Sequence, residues 1–290
     1  MPHLRPLKLG LALPIYVLAL STPLLHADLT AIDLFTNTTY FQISASAPVT
    51  PAGYFFDLGA TEQNAGDFDS ISVTYPGPGS PQVLNFNASS AMPGYGSPFI
   101  TNLAAYQAAY PFGTYTFNGI VGGVTTQTET LNYIANYYAS AIPALSAATY
   151  NGLQGLAPNS SLTISFNSFT PDPNATSGSP FFSIANASTG NPAFGVGLPY
   201  GDTSVNLPGG TLAPNTTYNW ELDFSDRLYG QSADGVYTTQ GFDLRTDGSF
   251  TTASYTPEPG FVAPLVFGLG LVGVAVRRRR ARILTEGSCS

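Results

Sequence analysis

Sixteen consecutive uncharged residues, Phe261 to Val276, are followed at once by Arg277, Arg278, Arg279, Arg280 and Arg282. As a helix rising about 1.5 Å per residue this run reaches roughly 24 Å, a little less than the roughly 30 Å hydrocarbon core of a bilayer. Its glycines and flanking arginines allow local thinning and snorkelling. A clustered set of arginines stays on the cytoplasmic side, so the bulk of the chain is expected on the far side of the membrane. The N-terminus agrees with that orientation. Arg5 and Lys8 precede a mostly apolar run from Leu9 to Leu25 ending Leu25-His26-Ala27, the pattern of a secretory signal peptide cleaved after Ala27. The part left to fold in water therefore runs from Asp28 to about Ser254.

Immediately before the apolar run stands Thr256-Pro257-Glu258-Pro259-Gly260. Two prolines remove two backbone donors and hold the segment extended, so the Glu258 carboxylate is displayed in a nearly fixed frame. The order of Pro257-Glu258-Pro259, apolar run and arginine cluster resembles the C-terminal sorting signal of PEP-CTERM proteins over about the last thirty residues. The resemblance implies processing by a membrane transpeptidase-like exosortase, with Pro257, Glu258 and Pro259 recognised and Arg277 to Arg280 with Arg282 acting as the stop-transfer element. It also implies an association with extracellular polysaccharide and biofilm. The alternative for the same stretch is an ordinary retained single-pass anchor.

Charge is distributed unevenly. Charged residues make up 9% of the chain against roughly 25% in ordinary soluble domains. Between Asp28 and Tyr255 there is no lysine; Arg227 and Arg245 are the only basic residues among fifteen acidic ones. That balance excludes nucleic acid and anionic lipid as partners of the exported part. Its surface must be built from Ser, Thr, Asn, Gln and Gly. Cys289, the lone cysteine, lies beyond the arginines, so no disulfide can form in the exported part and stability must come from burial.

Short runs rich in Thr, Val, Ile, Phe and Tyr, separated by Gly, Pro, Asn and Asp clusters, read as strands and turns. Examples are Ser70 to Tyr75, where alternation places Ile71, Val73 and Tyr75 on one face, and Ser161 to Phe166. The spacing of Leu103, Tyr106 and Tyr110 predicts one short helix over 102–110. Leu131 to Tyr150 fits either a helical face or a strand and is taken as a junction, with Ala144 to Leu156 expected to enter the second half as a strand and turn. The expected organisation is all-β, two β-sandwich domains between a signal peptide and a transmembrane sorting helix: 1–27 leader, 28–143 first domain with the junction, 144–254 second domain, 255–290 sorting signal.

In the second half, Leu212-Ala213-Pro214-Asn215-Thr216-Thr217-Tyr218 resembles the tyrosine corner of fibronectin type III and related Ig-like sandwiches. The resemblance implies that Leu212 seats in the core, Pro214 shapes the turn and the Tyr218 hydroxyl bonds back to the chain upstream. Tyr218, Trp220 and Leu222 would share a strand face.

His3 and His26 both belong to the leader, so the exported part has neither His nor Cys. A Ser-His-Asp triad, a thiol nucleophile and a common zinc site are thereby excluded. The chemistry left is a carboxylate pair of the glycosidase type, with Glu62, Glu129 and Glu221 as candidates and no spacing that pairs them. No cofactor is expected. Calcium is the cation that hard oxygen donors at turns would suit, with Asp67 and Asp69, Asp223 and Asp226, and Asp243 and Asp247 as weak candidate pairs. Sugar binding would need exposed aromatics, for which Tyr95, Tyr106, Tyr110, Tyr200 and Tyr229 are available. The reading is a non-catalytic surface or matrix protein of a bacterial envelope, whose partners are the secretion machinery and an exosortase-type enzyme. A carbohydrate-binding module is the runner-up and a glycoside hydrolase a distant third.

Overall fold

The computed structural model describes residues 28–87 and 92–254. The fold is all-β. The first half supplies β1 (Leu29–Phe41), β2 (Gly53–Glu62), β3 (Ser70–Thr74), β4 (Gln82–Asn87), β5 (Met92–Gly96), β6 (Gly113–Val121) and β7 (Val124–Tyr133), with helix α1 (Leu103–Ala109) before β6. The second half supplies α2 (Ala147–Leu153), β8 (Leu162–Ser165), β9 (Ser177–Asn186), β10 (Pro192–Gly197), β11 (Ser204–Leu207), β12 (Thr217–Gln231) and β13 (Tyr237–Thr251).

Eleven strands hydrogen-bond in the order β10-β9-β12-β13-β1-β2-β5-β4-β3-β6-β7, and β11 pairs with β8 separately. The centre of this array is a parallel pairing of the first and last strands, Ala31 opposite Tyr237 through Phe41 opposite Asp247. Beyond β5 the array turns over on itself. One part of β4 pairs with β5 (Asn85 opposite Gly94) and the other with β3 (Ile71 opposite Leu84), so β4 carries the chain from one layer to the next.

Strand alternation decides what lies between the layers. Along β1 every even position from Ile32 to Tyr40 points inward, and the partners on β13 do the same. Two hydrophobic clusters result. One gathers Ile32, Leu34, Phe56, Leu58, Ile71, Val73, Tyr115 and Phe117, and the other Ile164, Phe182, Ile184, Trp220, Leu222 and Phe224. β1 and β13 serve both: Leu34 and Phe242 belong to the first cluster, Tyr40 and Leu244 to the second. Tyr138, from the segment joining the halves, packs against both clusters and meets Phe242 edge-on at 6.0 Å.

The helix expected over 102–110 is α1, capped by Asn102, whose side chain accepts from the Ala105 amide at 2.9 Å. The strand expected over Ala144 to Leu156 is instead helix α2. Ser146 caps it by accepting from the Thr149 amide at 3.2 Å, and strand pairing there is confined to a single bridge between Leu145 and Phe166. The cap residue, easily passed over in an Ala- and Ser-rich stretch, overrides the weak strand pattern.

The joining segment is fastened by two buried side chains. Gln42, at the end of β1, donates to the Leu145 carbonyl at 3.1 Å and accepts from its amide at 2.9 Å, so its carboxamide substitutes for a further strand residue. Thr246 on β13 donates to the Pro143 carbonyl at 2.6 Å. Gln42→Leu leaves the Leu145 amide and carbonyl buried without these partners. The expected cost is about 1–3 kcal/mol for each group left unpaired, read as a lower midpoint in urea unfolding with an unchanged slope.

Candidate functional site

The alternation that turns even positions of β1 inward turns its odd positions out, onto the opposite face of the central strands. The register aligns them in rows. Phe41, Asp247, Glu221 and Ser183 lie side by side across β1, β13, β12 and β9; Thr39, Arg245, Asp223 and Phe181 form the neighbouring row. Ser249, Asn219 and Ala185 form the row on the other side.

Both basic residues between Asp28 and Tyr255 sit on this face, and both are engaged. Arg245 reaches Asp247 through two nitrogens, Nε to Oδ1 at 2.7 Å and Nη2 to Oδ2 at 3.1 Å, and Glu221 through Nη1 to Oε2 at 2.8 Å. Arg227 bonds Asp243 Oδ1 at 2.6 Å and rests over the Phe35 ring, its guanidinium carbon 5.1 Å from the centroid. Asp223 faces Arg245 across the strands without an ion pair to it. Burial pushes the Asp223 carboxyl well above the usual carboxylate range, and a hydrogen bond to Glu221 and that residue's charge push it the same way. Burial likewise raises Asp33, Asp57 and Asp247, the last opposed by its bonds from Arg245.

A cleft of about 550 Å³ opens on this face where β1 parts from β13. Its floor is shallow because Ser183, Ala185, Asn219 and Ser249 are short. Phe41 and Ile43, 52% and 86% exposed, stand beside it, and Tyr150 of α2 also lines it. A second cleft of about 280 Å³, lined by Tyr54, Tyr106, Tyr110, Tyr133 and Tyr138, belongs to the aromatic stack of the first cluster, where Phe56 and Tyr110 lie 4.4 Å apart and nearly parallel.

Among the residues singled out from the sequence, Tyr218 is buried and its hydroxyl accepts from the Ala213 amide at 2.8 Å. Leu212 is buried, and Asn215, next to Pro214, takes a left-handed conformation with φ 48°. Trp220 is 1% exposed and packs in the second cluster. Tyr200 and Tyr229 are exposed; Tyr106 and Tyr110 are buried in core, because the α1 face they share closes over Phe56 and Tyr54.

The acidic pairs do not form cation cages. Asp223 and Asp226 are three positions apart on one strand and therefore point to opposite faces of the sheet. Asp67 caps its own turn, accepting from the Asn64 amide at 2.9 Å, and Asp69 accepts from the Gly122 amide at 2.5 Å. Among the described residues no three His, Cys, Asp or Glu side chains gather in a way that could hold a metal ion. The carboxylates Glu62 and Glu129 lie on β2 and β7, away from Glu221 on β12. Pro257, Glu258, Pro259 and the arginines from Arg277 to Arg282 lie outside the described residues, as do residues 1–27, where a leader is expected. Among the described residues no helix is long and apolar enough to cross a membrane.

Sequence reading missed the cleft because its side chains come from five segments, the end of β1, α2, β9, β12 and β13. The signal available was the alternation of Glu221 with Asp223 on one strand and of Arg245 with Asp247 on another, which antiparallel pairing places opposite each other.

No protein-family profile matches the chain, and no curated protein matches it. Among solved structures it is similar to a biofilm associated protein BSP domain, at 11% identity and TM-score 0.21 over 80% of this chain and 30% of that one. It is similar also to the FN1–FN3 domains of chicken CNTN1, at 12% identity and TM-score 0.25 over 80% of this chain and 67% of that one. A third is a two fibronectin type-III domain segment from chicken tenascin, at 15% identity and TM-score 0.21 over 68% of this chain and 95% of that one. The chain spans 30% of the length of the first of these. The likeness is one of β architecture alone.

Two expectations follow from these contacts. Tyr218→Phe leaves the Ala213 amide without its acceptor and should lower stability by about 1–3 kcal/mol, measured by denaturant titration. Asp226 points inward, is 0% exposed, and has one oxygen bonded by the Asp172 amide at 2.9 Å while the other has no hydrogen-bond partner among the described residues. Burial pushes its carboxyl up to about 6, against the Asp172 bond. Because the folded state holds this proton more tightly than the unfolded chain, the resulting stabilisation is complete below pH 4 and is lost as pH rises through 6. The difference is roughly 3 kcal/mol. Thermal scans from pH 4 to 7 should show that slope in the native protein, and Asp226→Asn should reduce it.

Proposed function

We propose that the chain is an exported precursor, drawn across the membrane by its leader and handed to an exosortase-type processing enzyme at Pro257-Glu258-Pro259. The β-rich part then serves outside the cell as a non-catalytic structural component of the envelope or its surrounding matrix. The observation that carries the reading is the tripartite order of Pro257-Glu258-Pro259, sixteen uncharged residues and five arginines at the end of the chain. The fold supports it in a second way. Both basic residues between Asp28 and Tyr255 are tied to carboxylates, so the exported part presents a neutral-polar and acidic surface suited to staying unattached to anionic polymers. A span without His or Cys supports a role without catalysis.

Membrane fractionation with intact-mass measurement tests the proposal. The mature protein should lack the segment after about Pro259, and Glu258→Ala should leave it uncleaved in the membrane. A mature form still carrying Arg282 would leave only the retained anchor. Turnover of a polysaccharide that Glu221→Gln abolishes would overturn the non-catalytic role.

A further inference from the structure

We propose that the cleft at the end of β1 binds a neutral saccharide unit, with one face of the sugar ring on Phe41 and its hydroxyls on Glu221, Asn219 and Asp247. The proposal rests on the exported, surface-facing reading given above and adds a ligand class to it.

A pyranose ring has an apolar C–H face and a polar rim, and a site for it must offer both within one ring's breadth. The register supplies that juxtaposition: Phe41 is the cross-strand neighbour of Asp247, and Asp247 of Glu221. Half of the Phe41 surface is open to solvent, an expensive exposure for an aromatic side chain on a sheet face, and Ile43 beside it is more exposed still. The floor next to them is kept low by Ser183, Ala185 and Ser249, which leaves a depression where larger side chains would have filled the sheet surface. At about 550 Å³ the space falls within the roughly 300–1,000 Å³ of small-ligand clefts.

The polar groups are held in place before any ligand arrives. Arg245 is clamped by Asp247 and Glu221, which fixes the planes of all three side chains. Those contacts engage three of the five N–H donors of the guanidinium, and each carboxylate keeps lone pairs beyond the ones Arg245 occupies. Hydroxyl groups, which both donate and accept, match such a mixed array, and the Asn219 amide adds a donor and an acceptor to it. Charge narrows the class further. One guanidinium between two carboxylates leaves a net negative charge, which disfavours uronic acids and sulfated or phosphorylated sugars. The neighbouring Asp223 is held towards its neutral form by burial, so the excess is small and gives a cationic sugar little advantage.

The test uses the full chain, purified from membranes in detergent, on an array of neutral gluco-, galacto- and manno-oligosaccharides alongside anionic glycans. Retention of at least one neutral glycan is expected, competed by the free oligosaccharide and unchanged from low to high salt. Phe41→Ala should weaken it by about tenfold, the loss of a central aromatic contact, and Glu221→Gln, which keeps the shape and the bond from Arg245, several-fold. Phe41 is surface-exposed, so its truncation leaves both cores intact, and near-ultraviolet circular dichroism verifies that. No retention of any neutral glycan, retention of anionic polymers alone, or equal binding by both folded variants would overturn the proposal. Fractionation of the same cells reports on export and processing separately, so a failed array leaves the sorting reading standing and failed sorting leaves the cleft chemistry standing.

Discussion

The hydrogen bonds between β1 and β13 are the constraint on which the molecule depends. Sequential strands pair readily because short turns join them, whereas this pairing joins the two ends of the described chain and closes a loop of about two hundred residues, against a large loss of chain entropy. Its eleven aligned residue pairs do more than shut the fold. They fix which side chains of both strands point inward, and so build one wall common to two hydrophobic clusters. Without it Phe242 would have no first cluster to join, Tyr40 no second, and Tyr138 nothing to bridge.

The same register explains the unusual state of the opposite face. A sheet that buries one side normally leaves the other to water, and here that side concentrates carboxylates around two arginines. At Asp223 burial raises the carboxyl's affinity for its proton first, and the neighbouring Glu221, through hydrogen bonding and then charge, pushes it the same way. The arginines are therefore structural counterions for the sheet, which accounts for their being the basic residues found between Asp28 and Tyr255.

Much of this is legible in the sequence, and what is legible is local. Alternation in Ser70 to Thr74 and in Leu162 to Ser165, the spacing of Leu103, Tyr106 and Tyr110, and the inward row Tyr218, Trp220 and Leu222 all follow from periodicities of two or about three and a half, which a few residues suffice to display. Helix α2 is hidden because its one strong signal is a serine cap in a stretch already rich in Ala and Ser. Tyr106 and Tyr110 read as available surface aromatics, yet whether a tyrosine meets solvent depends on what closes over it, here Tyr54 and Phe56 from a distant strand. The cleft is illegible for the same reason: Phe41, Ser183, Glu221 and Asp247 come from four segments, and only long-range register makes them neighbours. The separation of Asp223 from Asp226, by contrast, needs nothing beyond strand alternation.

Parallel pairing of the terminal strands also decides how the molecule would carry load. β1 and β13 run in the same direction, so Asp28 and Ser254 leave from opposite ends of a strand pair. At about 3.3 Å per residue, eleven paired residues hold those exits roughly 35 Å apart. Tension applied between the exits would slide the two strands along each other. Every bond of the ladder would then resist at once instead of opening one after another like a zipper. A tether attached after β13 and a pull exerted at the other end thus meet the molecule along its stiffest direction.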